Sequence, residues 1–169
     1  MLVIFGGLPG SGKTTIALLL AERLQAVHVR VDTIEQALRD SGMLKAEVGP
    51  AGYIAAYGVA EDNLRLGRTV IADSVNPIQV TRDAWLQVAK RAGRRAIEVE
   101  VVCSDKAEHR RRAETRATDV EGLVKPSWDE IVNRTYDDWS GRQIVVDTAY
   151  KRADDAATEL VALLRRDLA

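Results

Sequence analysis

The sequence predicts an α/β protein, a three-layer sandwich on a five-stranded, all-parallel sheet, and three observations predict it. Five short, largely β-branched runs recur along the 169 residues, separated by stretches with helical spacing of apolar side chains. Strands that alternate with helices throughout call for right-handed crossovers and a sheet covered on both faces. The first run, Leu2-Val3-Ile4-Phe5, feeds a glycine loop, Gly7-Leu8-Pro9-Gly10-Ser11-Gly12-Lys13-Thr14, of the pattern G-x-x-x-x-G-K-[ST]. Two later runs end in acids, Asp32 and Asp73, and strand ends in such a sheet carry the ligands, so both acids are expected to point into the crevice of the loop.

Each element follows from its own pattern. Thr15 to Leu24 is apolar at helical spacing and reads as the first helix, starting near Lys13. Val27-His28-Val29-Arg30-Val31 is the second strand, and Thr33 to Ser41 is a short helix with Ile34, Ala37 and Leu38 on one face and Gly42 beyond its end. Glu47 to Pro50 is a loop; Ala51 to Leu66 is a helix carrying Tyr53, Tyr57, Val59 and Leu64, closed by Gly67. Thr69 to Asp73 is the third strand. Pro77 opens a helix through Ala84, Trp85, Val88 and Ala89 that Gly93 ends. Arg95 to Cys103 is the fourth strand, followed by the basic stretch Lys106 to Arg116. Ser127 is positioned to cap a helix containing Trp128, Ile131, Val132 and Trp139. Gln143 to Asp147 is the fifth strand, and Ala153 to Leu168 is a closing helix with Ala156, Leu160, Leu163 and Leu164 inside.

With 24 Lys and Arg against 25 Asp and Glu, the formal charge is −1, so no global field draws the chain onto nucleic acid or an anionic membrane. The lone Cys103 cannot close an internal disulfide, which fits a reducing compartment. The apolar start lacks a basic flank and reads as a core strand, not a signal peptide. The expectation is a cytoplasmic enzyme of one domain, residues 1–169.

The glycine loop predicts a phosphate cradle. Gly7, Gly10 and Gly12 permit backbone angles that let successive N–H groups converge on one anion, and the helix behind them adds its positive dipole end. Pro9, Ser11 and Thr15 complete the loop, Lys13 is expected to reach the β- and γ-phosphates, and the Thr14 hydroxyl to ligate Mg²⁺. Phosphoryl transfer then needs a group that positions the incoming oxygen and takes its proton. Asp32 suits this work, and equally suits capping the helix that begins at Thr33. Asp73 holds the place of an acid that binds Mg²⁺ through water, or ends its strand as a surface turn. Arg112 and Arg116, four apart, face one side of a helix and can converge on the transferring phosphate as a lid spanning about residues 105–126; Arg110 and Arg111 read as solvated. His28 and His109 have no carboxylate or cysteine at metal spacing, so zinc is unsupported. Tyr53 and Tyr57 read either as core or as walls of an acceptor pocket.

With these residues assembled, the chain from Leu2 to about Leu164 resembles a P-loop kinase of the group that holds zeta toxins, chloramphenicol phosphotransferase and the kinase domain of polynucleotide 5′-hydroxyl kinases. The resemblance is carried by Gly7 to Thr14, Val31-Asp32-Thr33, Val70-Ile71-Ala72-Asp73-x-x-Asn76 with Trp85 downstream, Arg112-x-x-x-Arg116, and Val146-Asp147-Thr148. It implies a fold of the P-loop NTPase kinase type with a small helical lid, and transfer of phosphate from ATP, with GTP as the alternative donor, to a hydroxyl in the presence of Mg²⁺. In that resemblance Asp32 is the general base, Arg112 and Arg116 clamp phosphates, and Thr148 to Arg152 pack near the base of the nucleotide; Asn76 matches a family asparagine of underived role. Similar polynucleotide kinases carry an arginine three residues after the catalytic acid, where this chain has Glu35, so a small-molecule acceptor is favoured over nucleic acid. Three functions stand as expectations: a small-molecule O-kinase first, then a polynucleotide 5′-hydroxyl kinase, then an ATP-binding regulatory NTPase.

Overall fold

The computed structural model describes residues 1–43, 46–139 and 141–166. A five-stranded sheet runs in the order β2-β3-β1-β4-β5 with every neighbouring pair parallel. The strands are β1 (Leu2–Gly6), β2 (Val27–Arg30), β3 (Val70–Asp73), β4 (Ala96–Val102) and β5 (Ile144–Asp147). Between and after them lie α1 (Lys13–Leu24), α2 (Val31–Asp40), α3 (Ala51–Arg65), α4 (Gln79–Arg91), α5 (Lys106–Thr115), α6 (Trp128–Val132) and α7 (Ala153–Arg166).

β1 is the centre because both of its faces are apolar. Val3 and Phe5 join Ile16 and Leu20 of α1 and Leu160 and Leu164 of α7 in one core; Leu2 and Ile4 join Ala56 and Leu64 of α3 and Trp85 and Val88 of α4 in the other. All of these side chains are buried. A fully buried strand of this kind reads as a continuous apolar run without alternation.

The predicted elements form, with four differences. β2 ends at Arg30, not at Asp32, because its partner strand ends there: Arg30 stands opposite Asp73, and the ladder has no further rungs. Val31 and Asp32 therefore belong to the first turn of α2, and Asp32 does not act as the cap. Arg116 closes α5 in an extended conformation (φ −57°, ψ 135°), so it shares no helical face with Arg112. α6 stops at Val132, leaving Trp139 on a strap drawn back to the sheet: the Asp137 amide donates to Pro77 O, the Asp137 carboxylate accepts the Gln79 amide, and Arg82 donates to the carbonyls of Asp137 and Asp138. Leu163 lies at the edge of the apolar stripe of α7 and is exposed, while Ala156, Leu160 and Leu164 are buried; the predicted end of this helix at Leu168 lies outside the described residues. Ser127 caps α6 as expected, in a reciprocal pair with Glu130.

Candidate functional site

The glycine loop leaves β1 with little room. A Cβ on Gly7 (φ +143°) would stand 2.2 Å from the carbonyl oxygen of Val101 in β4, so only glycine allows the loop to leave the strand this close to its neighbour. Gly12, at φ +91°, ends the loop as the N-cap of α1, without a side-chain oxygen to cap the helix and without an acid in its first turn. The amides at the start of α1 are thus left for an external anion, at the positive end of the helix dipole.

The loop is braced from behind. His109 of α5 donates Nε2–H to Pro9 O at 2.9 Å, which fixes its tautomer, and its ring lies edge-on to Trp128. Thr148 Oγ donates to Ser11 O at 2.7 Å, while Arg112 donates to the Thr148 hydroxyl (2.9 Å) and carbonyl (3.0 Å) and to Glu108 (2.7 Å). Arg112 therefore rests against the segment after β5.

Beneath the loop, Lys13 Nζ lies 2.5 Å from Asp73 Oδ1 and 3.4 Å from Thr14 Oγ1, and His28 Nε2 lies 3.2 Å from Asp73 Oδ2. Asp73 is buried. Burial pushes its carboxyl up, but the Lys13 ammonium and His28 outweigh burial and hold it well below the usual carboxylate range. It therefore stands under the crevice and does not open into it as the strand-end position predicts. Of the two donors expected for Mg²⁺, both are the hard oxygens that this ion takes; the Thr14 hydroxyl lines the larger cavity, while the two Asp73 oxygens are held by Lys13 and His28. Mg²⁺ is the ion that keeps water and takes its remaining oxygens from phosphates.

Two cavities meet at this site. The larger, about 800 Å³, is lined by Pro9, Gly10, Gly12, Lys13, Thr14 and Thr15 of the loop, by Arg112 and Arg116, and by segment 117–126. The smaller, about 460 Å³, lies between α2, α3 and the turn before α4, with Tyr53, Ile54, Tyr57, Pro77, Ile78 and Val80 in its walls. Asp32, Glu35, Val75 and Arg134 line both. Burial, then the neighbouring Asp32, raises the Glu35 carboxyl, against Arg39 and Arg134.

Of the site residues predicted, Gly7 and Ser11 are buried under the loop and Asp73 beneath it, while Asp32, Lys13, Thr14, Arg112 and Arg116 face the larger cavity. Sequence reasoning missed His28 as the second partner of Asp73, His109 as the brace of Pro9 and Arg134 in the shared wall; Arg30 donates to both oxygens of Asp119 in the wall of the larger cavity. Alternation along β2 was the signal for His28; Arg134 follows a short helix in a stretch with no periodicity to mark it. Asn76 holds the site's parts together. It is buried at φ +48°, donates Nδ2–H to Phe5 O at 2.6 Å, and gives its amide to the Tyr53 hydroxyl.

The fold has close relatives in shape among solved structures. An APS kinase of Mycobacterium tuberculosis, solved with AMPPNP and APS, superposes with a TM-score of 0.74 at 19% identity over 97% of this chain and 96% of that one. Kti12 of Chaetomium thermophilum, solved with ADP-AlF3, gives 0.73 at 23% identity over the whole of both chains. A gluconokinase of Sinorhizobium meliloti gives 0.62 at 18% identity, over 98% of this chain and 95% of that one. These are likenesses of fold. Curated proteins searched by sequence yield no match. Among the described residues no helix is long and apolar enough to cross a membrane. The family model described as an AAA domain (AAA_33) matches residues 2–135, and the chain belongs to that family.

Proposed function

We propose that this chain is a phosphotransferase that moves the γ-phosphoryl group of ATP to a hydroxyl of a small molecule seated in the smaller cavity, with Asp32 as the general base. One observation carries the reading: Asp32 lines both the cavity of the phosphate loop and the apolar cavity beside it. A hydroxyl entering from one side and a phosphate tail held on the other would meet at its carboxylate.

In this reading the amides at the start of α1 and Lys13 hold the phosphate tail, and Arg112 and Arg116 neutralise charge that develops on the moving group. Thr14 directly, and Asp73 through water, would hold Mg²⁺, which would supply charge neutralisation on the phosphate oxygens. Asp32 takes the proton of the acceptor hydroxyl as its oxygen bonds to the γ-phosphorus, the bond to the β–γ bridging oxygen breaks, and ADP leaves. Residues 1–169 are then one kinase domain, and residues 105–126 its lid.

The fold neighbours support the donor side, since one was solved with AMPPNP and another with ADP-AlF3. Glu35 in the shared wall disfavours a nucleic acid acceptor, because a carboxylate repels the phosphate such an acceptor carries. A panel of alcohols, polyols and 5′-hydroxyl oligonucleotides with γ-labelled MgATP tests the reading. Label on an organic product is expected from a small alcohol. Label on an oligonucleotide favours the nucleic acid kinase, and release as inorganic phosphate alone, whatever is added, favours a regulatory NTPase.

A further inference from the structure

The smaller cavity keeps its polar groups at one end. Asp32, Glu35 and Arg134 stand where it meets the larger cavity, and the rest of the lining is mostly apolar. Each of its three hydroxyls bonds a main-chain group between residues 76 and 81: Tyr53 Oη accepts the Asn76 amide at 3.2 Å, Tyr57 donates to Thr81 O at 3.3 Å, and Thr81 donates to Ile78 O at 2.8 Å. The two tyrosines therefore present rings. Tyr57 is fixed edge-on against Trp85, with centroids 4.6 Å apart, and Tyr53 lies tilted against Tyr57 at 6.1 Å. At the rim, Ile54 and Val80 are 62% and 65% exposed, large apolar side chains left to solvent on the edge of a preformed concave wall.

We propose that this cavity binds an alcohol with an aromatic or branched-alkyl body, its hydroxyl toward Asp32 and its carbon skeleton against Tyr53, Tyr57, Ile54 and Val80. The orientation of the hydroxyl rests on the phosphotransfer reading; the preference for a carbon skeleton rests on the wall alone. A polyol or sugar buried here would strand hydroxyls against carbon, at the cost of unpaired polar groups. A phosphate-bearing acceptor would meet two carboxylates against one guanidinium, that of Arg134, at the polar end.

Saturation-transfer NMR on the full chain, with 2-phenylethanol and sorbitol as probes, tests this. Saturation is expected on the phenyl alcohol and not on sorbitol. Ile54→Glu and Val80→Glu, both at exposed positions, are expected to weaken the phenyl alcohol by about tenfold or more while ATP affinity, measured by calorimetry on the same samples, stays unchanged and reports an intact fold. Sorbitol binding as strongly, no binding of either probe, or rim variants that bind the phenyl alcohol unchanged would overturn the proposal. Binding of the phenyl alcohol without transfer of label to it or to any other alcohol would support the cavity's chemistry and remove the phosphotransfer reading. Transfer to a polyol without binding of the phenyl alcohol would do the reverse.

Discussion

Lys13 and Asp73 depend on each other. Asp73 is fully buried, so removing the ammonium leaves a carboxylate in the interior with only His28 beside it. Breaking a buried pair from one side costs about 3–5 kcal/mol, so Lys13→Met is expected to lower stability by that order, read by denaturant unfolding, besides losing nucleotide. An unchanged midpoint would mean that Asp73 is not charged in the folded protein. The same pair sets an acid limit. Because the folded carboxyl lies below its ordinary value, its contribution is fully present above about pH 4, the unfolded value, and fades as pH falls from there toward the folded value. The melting temperature of the wild type should therefore fall more steeply below pH 4 than that of Asp73→Asn, and parallel acid limbs would contradict this. At this scale the glycine loop was legible because its backbone demands fix residue types at fixed spacings. The bond from His28 to Asp73 was not, because it joins residues 45 apart through the pairing of β2 with β3.

Among the elements, α2 and α3 carry the shared wall between them. Asp32 and Glu35 stand three residues apart on α2, and Glu35 packs so closely on α3 that a Cβ at Gly52 would come within 2.2 Å of its Cγ. The clash falls near the root of the side chain, so α2 or Glu35 must move. Gly52→Ala is expected to reduce turnover on the acceptor by about tenfold or more and to leave ATP affinity within a factor of two; full turnover would mean that the seating of α2 on α3 does not set the site. The strands and most helices followed from their apolar runs. The start of α2 did not, because Val31 continues a β-branched pattern while the ladder that would extend it ends at Arg30. Trp139 misled for a similar reason. Its apolar spacing suits a helix, yet it seats on Gly6, where a Cβ would stand 2.3 Å from its ring, with Arg82 over its face at 4.6 Å.

Over the whole molecule, the phosphate loop ties the layers together, resting on β4, α5 and the segment after β5. A ligand that fills it stabilises the folded state by mass action. At 100 times its dissociation constant, MgATP should add about 2.7 kcal/mol, or roughly 5–10 °C in melting temperature for a chain of this size. Chelating the metal with EDTA should cancel most of that rise. A melting temperature indifferent to MgATP would remove nucleotide binding from the account. The architecture was legible because alternation of strands and helices admits few topologies. The meeting of two cavities at Asp32 was not, since it depends on how α3 and the turn at Asn76 pack, which no periodicity records. Catalysis turns on that meeting, and single-turnover transfer of γ-labelled phosphate by wild type and Asp32→Asn, side by side on an alcohol the wild type phosphorylates, measures it. Asp32→Asn is expected to bind MgATP with unchanged affinity and to transfer label about 10²- to 10⁴-fold more slowly; transfer at the wild-type rate would mean that Asp32 is not the base.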